Sequence, residues 1–304
     1  MTRFLLAALA LSSSAIATPP ASIESERAPE VRLVGKTVTL PLVMVREFPF
    51  IEGEIAGIKG KFMLDTGMRE ALVINDHRVP IAGGSKIGTG HFGSGQSFEV
   101  RLHEAVQNVR IGDIYYPGVT SVRSQDARML EKITPDFLGW VGFGYFSGYA
   151  MKLDYDRLIA TFYQEGSDRF LANETLVATL PFETRNLPNI PLLQARIGDL
   201  NAIVSLDTGM YGSLNISQKK RQNLLEDGHL KPTRDPDAFD LTGVRLADRI
   251  DVEATAIEVE EGPSASAKPV GVTEDTELEL GFVFLKNYKT VWDYPRKRLY
   301  LLAR

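Results

Sequence analysis

The same short pattern occurs twice in this chain, in KFMLDTGMREALVIN at residues 61–75 and in AIVSLDTGMYGSLNI at residues 202–216. In each copy an apolar run leads into Asp-Thr-Gly-Met and is followed by a short polar step and more apolar residues. Asp207 of the second copy lies 142 positions after Asp65 of the first. Because Asp-Thr-Gly alone is also a common turn sequence, its meaning depends on whether the surrounding residues repeat as well.

Other landmarks do recur, in the same order and at offsets between 139 and 142 positions. The matched residues are Thr39 with Thr179, Pro49 with Pro191, Ile55 with Ile197, Phe143 with Phe282, Tyr149 with Tyr288, Tyr155 with Tyr294, and Arg157 with Arg296. An ordered series of this kind indicates a tandem duplication, with small offsets from loop insertions. The sequence therefore predicts two equivalent lobes, at residues 36–165 and 179–304, joined by a linker at 166–178.

Most of each lobe consists of short β-branched or alternating apolar runs, such as VTLPLVMV and FIEGEIAGI, interrupted by Gly and Pro. These runs are typical of strands in a sandwich or barrel, and Ile-Gly-Asp at 111–113 predicts a hairpin turn. Helical patterns are expected at 217–229, beginning at a Ser cap, and at 124–133. We expect an all-β fold of two tandem lobes, related by a pseudo-twofold axis, with a few short helices.

Composition excludes several classes of function. The 304 residues are 44% hydrophobic and 24% charged, as in globular proteins, and the net charge of −5 comes without a basic cluster. A nucleic-acid partner is therefore not expected. The absence of Cys excludes disulfides, thiol catalysis and Cys-ligated metals, and the four His form no metal-binding pattern. No cofactor and no metal are predicted.

The first 17 residues have the pattern of a secretory signal peptide. Arg3 precedes an apolar run at 4–11, and Ala15-Ile16-Ala17 supplies the small residues of a cleavage site. That run is too short to span a bilayer, and no later run approaches the required length of about 20 residues. The sequence predicts an exported protein, periplasmic or extracellular, with no membrane span and with residues 18–35 as a loosely held arm.

The repeated aspartates predict a particular chemistry. Each follows an apolar strand, where a carboxylate is unfavourable unless it is used or neutralised. If the two lobes close about a pseudo-twofold axis, Asp65 and Asp207 meet. Two carboxylates about 3 Å apart cannot both ionise easily, so they share one proton over a wide acid range. The ionised partner can then act as general base toward a water, and the protonated partner as general acid toward a carbonyl oxygen.

This arrangement resembles the aspartic proteases, and in particular bacterial proteins with two fused retropepsin-like halves. The shared pattern is hydrophobic-Asp-Thr-Gly, then hydrophobic-hydrophobic-Gly, as in GWVGFGYF at 139–146 and LGFVFL at 280–285, then Asp-Tyr. It covers residues 36–304. The resemblance implies an endopeptidase acting on a peptide or protein substrate, as a monomer with an intrachain dyad. The implied site consists of Asp65 and Asp207 as the catalytic pair and Thr66, Gly67, Thr208 and Gly209 as the supporting loops.

The family also has a β-hairpin flap that folds over the substrate. The segment GGSKIGTGHFGSGQ at 83–96 holds six glycines at a suitable distance after the first Asp. Its possible flap residues are Gly88, Thr89, Gly90 and His91. A plain surface loop is the alternative, and a dinucleotide site is disfavoured by the all-β surroundings. The corresponding region of the second lobe has no comparable Gly-rich stretch, so a flap would be single.

Several positions depart from the family pattern. Met68 and Met210 stand where the family usually has Ser or Ala, and Glu279 replaces an apolar residue. Arg69 would lower the pKa of Asp65 if it pointed there, the alternative being an exposed side chain. A catalytically inactive protein of the same fold, with a binding or scaffolding role, therefore remains the alternative. The repeat's symmetry argues against a two-carboxylate glycosidase, and the short linker argues against a dyad shared between chains.

Overall fold

A computed structural model describes residues 31–91, 97–164 and 166–304. The predicted signal peptide and most of the predicted arm lie outside these residues. The described chain is all-β, with short helices. Within it, no helix combines the length and the apolar character needed to cross a membrane.

The strands and helices follow one another closely, as the short runs in the sequence predict. The strands are β1 (Thr37–Pro41), β2 (Val43–Val45), β3 (Phe48–Ile55), β4 (Ile58–Leu64), β5 (Leu72–Asn75), β6 (Ser85–His91), β7 (Ser97–Ile111), β8 (Ile114–Gln125), β9 (Phe137–Val141), β10 (Tyr149–Asp154), β11 (Ile159–Gln164), β12 (Leu176–Pro181), β13 (Leu192–Ile197), β14 (Leu200–Leu206), β15 (Gly212–Ile216), β16 (Leu230–Pro232), β17 (Ala238–Leu246), β18 (Ile250–Glu261), β19 (Thr276–Leu280), β20 (Lys289–Asp293) and β21 (Arg298–Leu302). The helices are α1 (Phe143–Phe146), α2 (Gln218–Glu226), α3 (Ala267–Val270) and α4 (Phe282–Leu285), with 3₁₀ turns at Arg128–Lys132 and Arg169–Leu171.

In two of the three sheets, one strand leads into an Asp-Thr-Gly segment. The first has eight strands in the order β2-β3-β4-β9-β5-β8-β7-β6, and the second has seven in the order β13-β14-β19-β15-β18-β17-β16. Additional pairings of β3 with β7 and of β13 with β17 close six strands of each sheet into a ring. We call these rings the first and second barrels. In each barrel the strand that leads into Asp-Thr-Gly, β4 or β14, runs parallel to β9 or β19.

The third sheet joins the two parts of the chain. Its six strands have the order β1-β11-β10-β20-β21-β12. The first three come from before residue 165 and the last three from after it. Strands β10 and β20 pair antiparallel at the centre, with Ala150 opposite Asp293 and Leu153 opposite Thr290. We call this sheet the joint sheet.

Three segments differ from what the sequence predicted. Val31 and Leu33, in the predicted loose arm, are buried, and the Leu33 N–H donates to the Tyr145 carbonyl at 3.1 Å. Their apolar side chains explain this, since burial keeps them from water. Strand β12 begins at Leu176, so the end of the predicted linker belongs to the joint sheet. The third difference concerns the predicted helix at 124–133.

Of the two predicted helices, one is confirmed and one is wrong. Helix α2 follows Ser217 at its N-cap position, as the pattern indicated. At 124–133, by contrast, the first two residues end β8 and only Arg128–Lys132 form a 3₁₀ turn. Pairing of β8 with β5 holds the start of this segment extended, and the Asn75 side-chain carbonyl accepts the Ala127 N–H at 3.0 Å. Tertiary contacts thus override the local helical pattern.

Candidate active site

The two Asp-Thr-Gly segments lie against each other where β4 and β14 end. The Asp65 N–H donates to the Val141 carbonyl at 3.0 Å, and the Asp207 N–H donates to the Leu280 carbonyl at 3.2 Å. Val141 and Leu280 are the last residues of the parallel neighbours β9 and β19. The N–H of each aspartate therefore continues the hydrogen bonding between the two parallel strands by one residue, and this bond anchors the start of the loop. The structure brings the two predicted catalytic residues to one place.

The two threonines brace the loops reciprocally. The Thr66 N–H donates to Thr208 Oγ1 at 3.0 Å, and the Thr208 N–H donates to Thr66 Oγ1 at 2.9 Å. Thr208 Oγ1 in turn donates to the Leu64 carbonyl at 2.8 Å. Both threonines are buried. Since unpaired buried polar groups are unfavourable, these bonds hold the loops in one relative position.

The two glycines set how closely the loops approach. A Cβ added to Gly67 would lie 2.2 Å from Asp207 Oδ2, and one added to Gly209 would lie 2.6 Å from Asp65 Oδ2. Such separations are far shorter than van der Waals contact, so only Gly leaves room for the opposite carboxyl group. Each loop therefore packs its glycine directly on the other loop's aspartate.

The carboxyl groups have unequal surroundings. Asp207 Oδ1 accepts hydrogen bonds from the Gly209 N–H at 2.8 Å, the Gly67 N–H at 2.9 Å and the Thr66 hydroxyl at 3.3 Å. Asp65 Oδ1 accepts one, from the Met68 N–H at 3.0 Å. No donor among the described residues reaches Asp65 Oδ2, which is buried. Asp65 is completely buried, whereas Asp207 is partly exposed. Asp207 is thus the better site for the negative charge.

The pKa shifts agree with this assignment. Burial, and then the charge of Asp207, raise the pKa of Asp65 well above its ordinary value. Burial also raises the pKa of Asp207, although the N–H donors of Gly209 and Gly67 oppose that shift. When Asp65 carries a proton, its carboxyl group can donate to the Asp207 carboxylate, and this interaction raises the pKa of Asp65 and lowers that of Asp207. The pair therefore retains one proton above the usual range, with Asp65 carrying it.

Two supporting residues were not found from the sequence. The Asn189 side-chain amide donates to the Thr66 carbonyl at 3.0 Å and the Gly67 carbonyl at 2.8 Å. The Tyr294 hydroxyl donates to the Asn189 carbonyl at 3.0 Å. Tyr294 had been singled out only as part of the Asp-Tyr landmark. Asn189 carries no sequence signal, since its role depends on contact with a loop more than 120 positions away.

Met68, Met210 and Arg69, which depart from the aspartic-protease pattern, are either buried against the neighbouring backbone or exposed to solvent. Met68 and Met210 are buried, and their carbonyls accept the N–H groups of Phe143 at 2.8 Å and Phe282 at 3.0 Å. A Cβ on Gly142 would lie 2.4 Å from the Met68 carbonyl oxygen. This explains the glycine of the hydrophobic-hydrophobic-Gly segment. Arg69 is exposed and is not among the main causes of the pKa shift of Asp65.

Two pockets adjoin the loops, one in each barrel. The first is lined by Met68, Gly90 and Arg123 among others, and the second by Asp207, Met210 and Glu279 among others. We call them the Met68 pocket and the Asp207 pocket. The pockets differ in charge, because the first includes Arg123, which is paired with Glu70, and the second includes two carboxyl groups.

The predicted flap residues belong to an antiparallel hairpin of β6 and β7. Gly88, Thr89, Gly90 and His91 face Val100, Glu99, Phe98 and Ser97 across the pairing. Gly90 also lines the Met68 pocket. The tip of the segment, residues 92–96, lies outside the described residues. In the second barrel β16 and β17 form a shorter hairpin, which contributes no residue to the Asp207 pocket.

No protein-family model matches this chain, and no curated protein is significantly similar to it. Among the described residues, no group of three or more His, Asp or Glu side chains is arranged to hold a metal ion.

Proposed function

We propose that this chain is an aspartic endopeptidase of the retropepsin-like type, in which Asp65 and Asp207 activate a water that hydrolyses a peptide bond. The observation that carries the proposal is the mutual packing of Gly67 on Asp207 and of Gly209 on Asp65. This packing places the buried Asp65 carboxyl group and the partly exposed Asp207 carboxyl group close enough that the charge of Asp207 raises the pKa of Asp65, so one shared proton is the favoured state. Together with the reciprocal threonine bonds, it is a specific arrangement for acid–base chemistry on a bound water.

The strand order supports a pseudo-twofold relation between two acid-protease-type lobes. In the joint sheet, β10 and β20 lie at the centre, β11 and β21 beside them, and β1 and β12 at the edges. Each strand thus lies at the same distance from the centre of the sheet as the strand that is equivalent to it in the sequence repeat. The two barrels also share one strand order, from β3 to β6 and from β13 to β16. An axis between β10 and β20 would relate Asp65 to Asp207.

The unequal surroundings assign the roles. Asp207, with three donors on one oxygen, is the general base, and it takes a proton from a water held between the carboxyl groups. The water oxygen bonds to the carbonyl carbon while Asp65 gives its proton to the carbonyl oxygen. The proton on Asp207 then passes to the amide nitrogen as the C–N bond breaks. One hydroxyl proton of the tetrahedral intermediate returns to Asp65, which restores the starting state.

One observation favours the second candidate, an inactive binding or scaffolding protein of the same fold. Asp65 is completely buried, and Gly209 packs directly on it. Catalysis requires that a water reach both carboxyl groups, and the partly exposed Asp207 offers the access. If that access is too narrow, the loops keep their structural role and catalysis is lost.

The two candidates are separated by cleavage of an unfolded protein between pH 3 and pH 7. We expect wild type to cleave it and Asp65→Asn and Asp207→Asn each to lose at least about 1000-fold in kcat/KM, since neither acid nor base can be replaced. The exposed Asp199→Asn is the matched control and should keep wild-type activity. Circular dichroism establishes that the variants are folded. Absence of cleavage by folded wild type would favour the inactive alternative.

The pH profile of kcat/KM tests the assignment of the proton. At low pH the rate should rise as Asp207 ionises, and at higher pH it should fall as Asp65 loses its proton. Because both pKa values are raised above the ordinary 3.8, we expect the maximum above pH 4. A rate that still increases through pH 8 would contradict a catalytic proton on Asp65.

A further inference from the structure

The Asp207 pocket has an acidic wall. The pocket is partly open to solvent. Its polar lining consists of Asp207, Ser205, Ser266 and Glu279, and Met210 and three aliphatic side chains complete it. Asp207 and Ser266 are partly exposed, while the rest of the lining is buried. Solvent therefore reaches these two lining residues, and a group bound in the pocket lies next to the proposed general base.

The acidic wall is a difference between the two barrels. Glu279 on β19 lies between Ser205 on β14 and Ser213 on β15 in the sheet register. In the first barrel the positions in the same register on β9, β4 and β5 are Trp140, Met63 and Val73. Those three are part of a buried apolar cluster. A polar, acidic surface thus replaces an apolar one on the side of Asp207 only.

The carboxyl groups of this wall are satisfied by neutral donors. Glu279 accepts hydrogen bonds from the Ser213 hydroxyl at 2.6 Å and the Ser266 hydroxyl at 3.1 Å. Glu277, on the same face of β19, accepts bonds from two further serines. In the part of the chain that the structure describes, neither glutamate forms an ion pair. Buried carboxylates without a cation are unfavourable, so a cationic ligand would stabilise this wall.

We propose that the Asp207 pocket binds a basic side chain of the peptide substrate and that Glu279 determines this specificity, an inference that rests on the proposed function. An ammonium group entering between Asp207 and Ser266 would reach the Glu279 carboxyl and would supply the positive charge that the wall lacks. Lysine fits better than arginine. Its compact ammonium directs three donors, whereas the planar guanidinium favours a carboxylate with both oxygens open, and both Glu279 oxygens already accept a serine hydroxyl.

The same pocket predicts how the preference depends on pH. Burial, and then the charge of Glu277, raise the pKa of Glu279 from 4.5 to about 7, and the charge of Asp207 adds to this shift. The hydroxyls of Ser213 on β15 and of Ser266 oppose this shift. Ser205 on β14 lies opposite Glu279 in the register and donates to Glu277. Ionised Glu279 binds an ammonium more strongly than protonated Glu279 does. The preference for lysine should therefore increase as the pH rises from 4.5 to 7.

The test measures binding and cleavage separately. Four octapeptides each carry a single lysine, at one of the four central positions. For each of them, two matched peptides have norleucine or glutamine in place of that lysine. Dissociation constants are measured on full-length Asp65→Asn, which leaves the peptides intact, and kcat/KM on wild type. Glu279→Gln is introduced into both, and the exposed Glu253→Gln is the matched control with the same charge change.

We expect that at one position Asp65→Asn binds the lysine peptide at least tenfold more tightly than the norleucine peptide. The ratio of the two dissociation constants should increase between pH 4.5 and pH 7. Glu279→Gln should reduce that ratio to below threefold and remove its pH dependence, whereas Glu253→Gln should keep both. Equal binding of lysine and norleucine peptides at every position, or a ratio that Glu279→Gln leaves unchanged, would overturn the inference. Equally tight binding of the glutamine and lysine peptides would also overturn it. If the binding preference is found but wild type cleaves nothing, only the proposed hydrolysis fails.

Discussion

Gly67 and Gly209 determine how closely the two carboxyl groups approach each other. Each glycine occupies space that any other residue would take from the opposite aspartate. The raised pKa of Asp65 depends on this closeness, because burial and the nearby charge of Asp207 produce it. The chemistry of the site therefore depends on two residues that have no side chains.

A single methyl group should be enough to disrupt the site. In Gly209→Ala the Cβ would lie 2.6 Å from both Asp65 Cγ and Asp65 Oδ2, so the loops must separate. We expect a loss of about 1–3 kcal/mol in the free energy of unfolding from overpacking and a fall of at least about 100-fold in kcat. Urea denaturation and peptide hydrolysis measure the two effects.

The control is Gly148→Ala. Gly148 is exposed, and a Cβ there would meet no atom within 4 Å. This variant should keep wild-type stability within about 0.5 kcal/mol. Equal activity and stability in both variants would contradict the close packing of Gly209 on Asp65.

At the scale of elements, the segment between β12 and β13 supports a loop that belongs to the other barrel. Asn189 donates to the carbonyls of Thr66 and Gly67, and it is held in place by Tyr294 from beyond β20. These contacts link the second half of the chain to the first Asp-Thr-Gly loop at a buried position. The geometry of the first loop therefore depends on elements outside its own barrel.

Removing the Asn189 amide should destabilise the chain and impair turnover. Asn189→Ala leaves the buried Thr66 carbonyl and the partly buried Gly67 carbonyl without this donor, and we expect a loss of about 1–3 kcal/mol in the free energy of unfolding. We expect kcat to fall more than KM rises, because the loop that carries Asp65 is displaced. The exposed Asn201→Ala should change neither quantity. An Asn189→Ala variant as stable as Asn201→Ala would show that this amide does not hold the loop.

At the scale of the whole molecule, the joint sheet combines strand pairing with a charged cluster. Glu174, from the segment before β12, accepts hydrogen bonds from Lys152 on β10 and Lys289 on β20. All three side chains are mostly buried. Burial alone would raise the pKa of Glu174, but the bonds from the two lysines outweigh it and hold that pKa below its ordinary value. One carboxylate thus pairs with two ammonium groups at the junction.

Glu174→Gln should therefore weaken the junction. The variant keeps two ammonium groups close together without their counter-charge, and we expect a loss of about 3 kcal/mol in the free energy of unfolding at pH 7. Because the folded-state pKa of Glu174 is lowered, its contribution is present at neutral pH and is lost as the pH falls below its ordinary value of 4.5. The difference between wild type and variant should accordingly shrink toward pH 3.

Urea denaturation at several pH values measures this difference. The exposed Glu104→Gln removes the same charge elsewhere and should stay within about 0.5 kcal/mol of wild type throughout. A Glu174→Gln variant that unfolds like Glu104→Gln at pH 7 would contradict a stabilising role for the cluster.

Two predictions from the residues alone, the predominance of strands and helix α2, are confirmed, and the tandem duplication with its two Asp-Thr-Gly loops is predicted from the residues alone as well. These follow from local pattern and from repetition along the chain, which need no knowledge of packing. Local pattern also led to the wrong prediction of a helix at 124–133, because it does not include the pairing of β8 with β5.

The folded structure was needed to show that Asp65 is buried while Asp207 is partly exposed, that Asn189 supports the first loop, and that Glu279 lines a pocket beside Asp207. The physical reason is that burial and hydrogen bonding between residues far apart in the chain depend on strand register and on the closure of the barrels. Two identical tetrapeptides therefore acquire different environments, and the proposed assignment of general acid and general base depends on this difference.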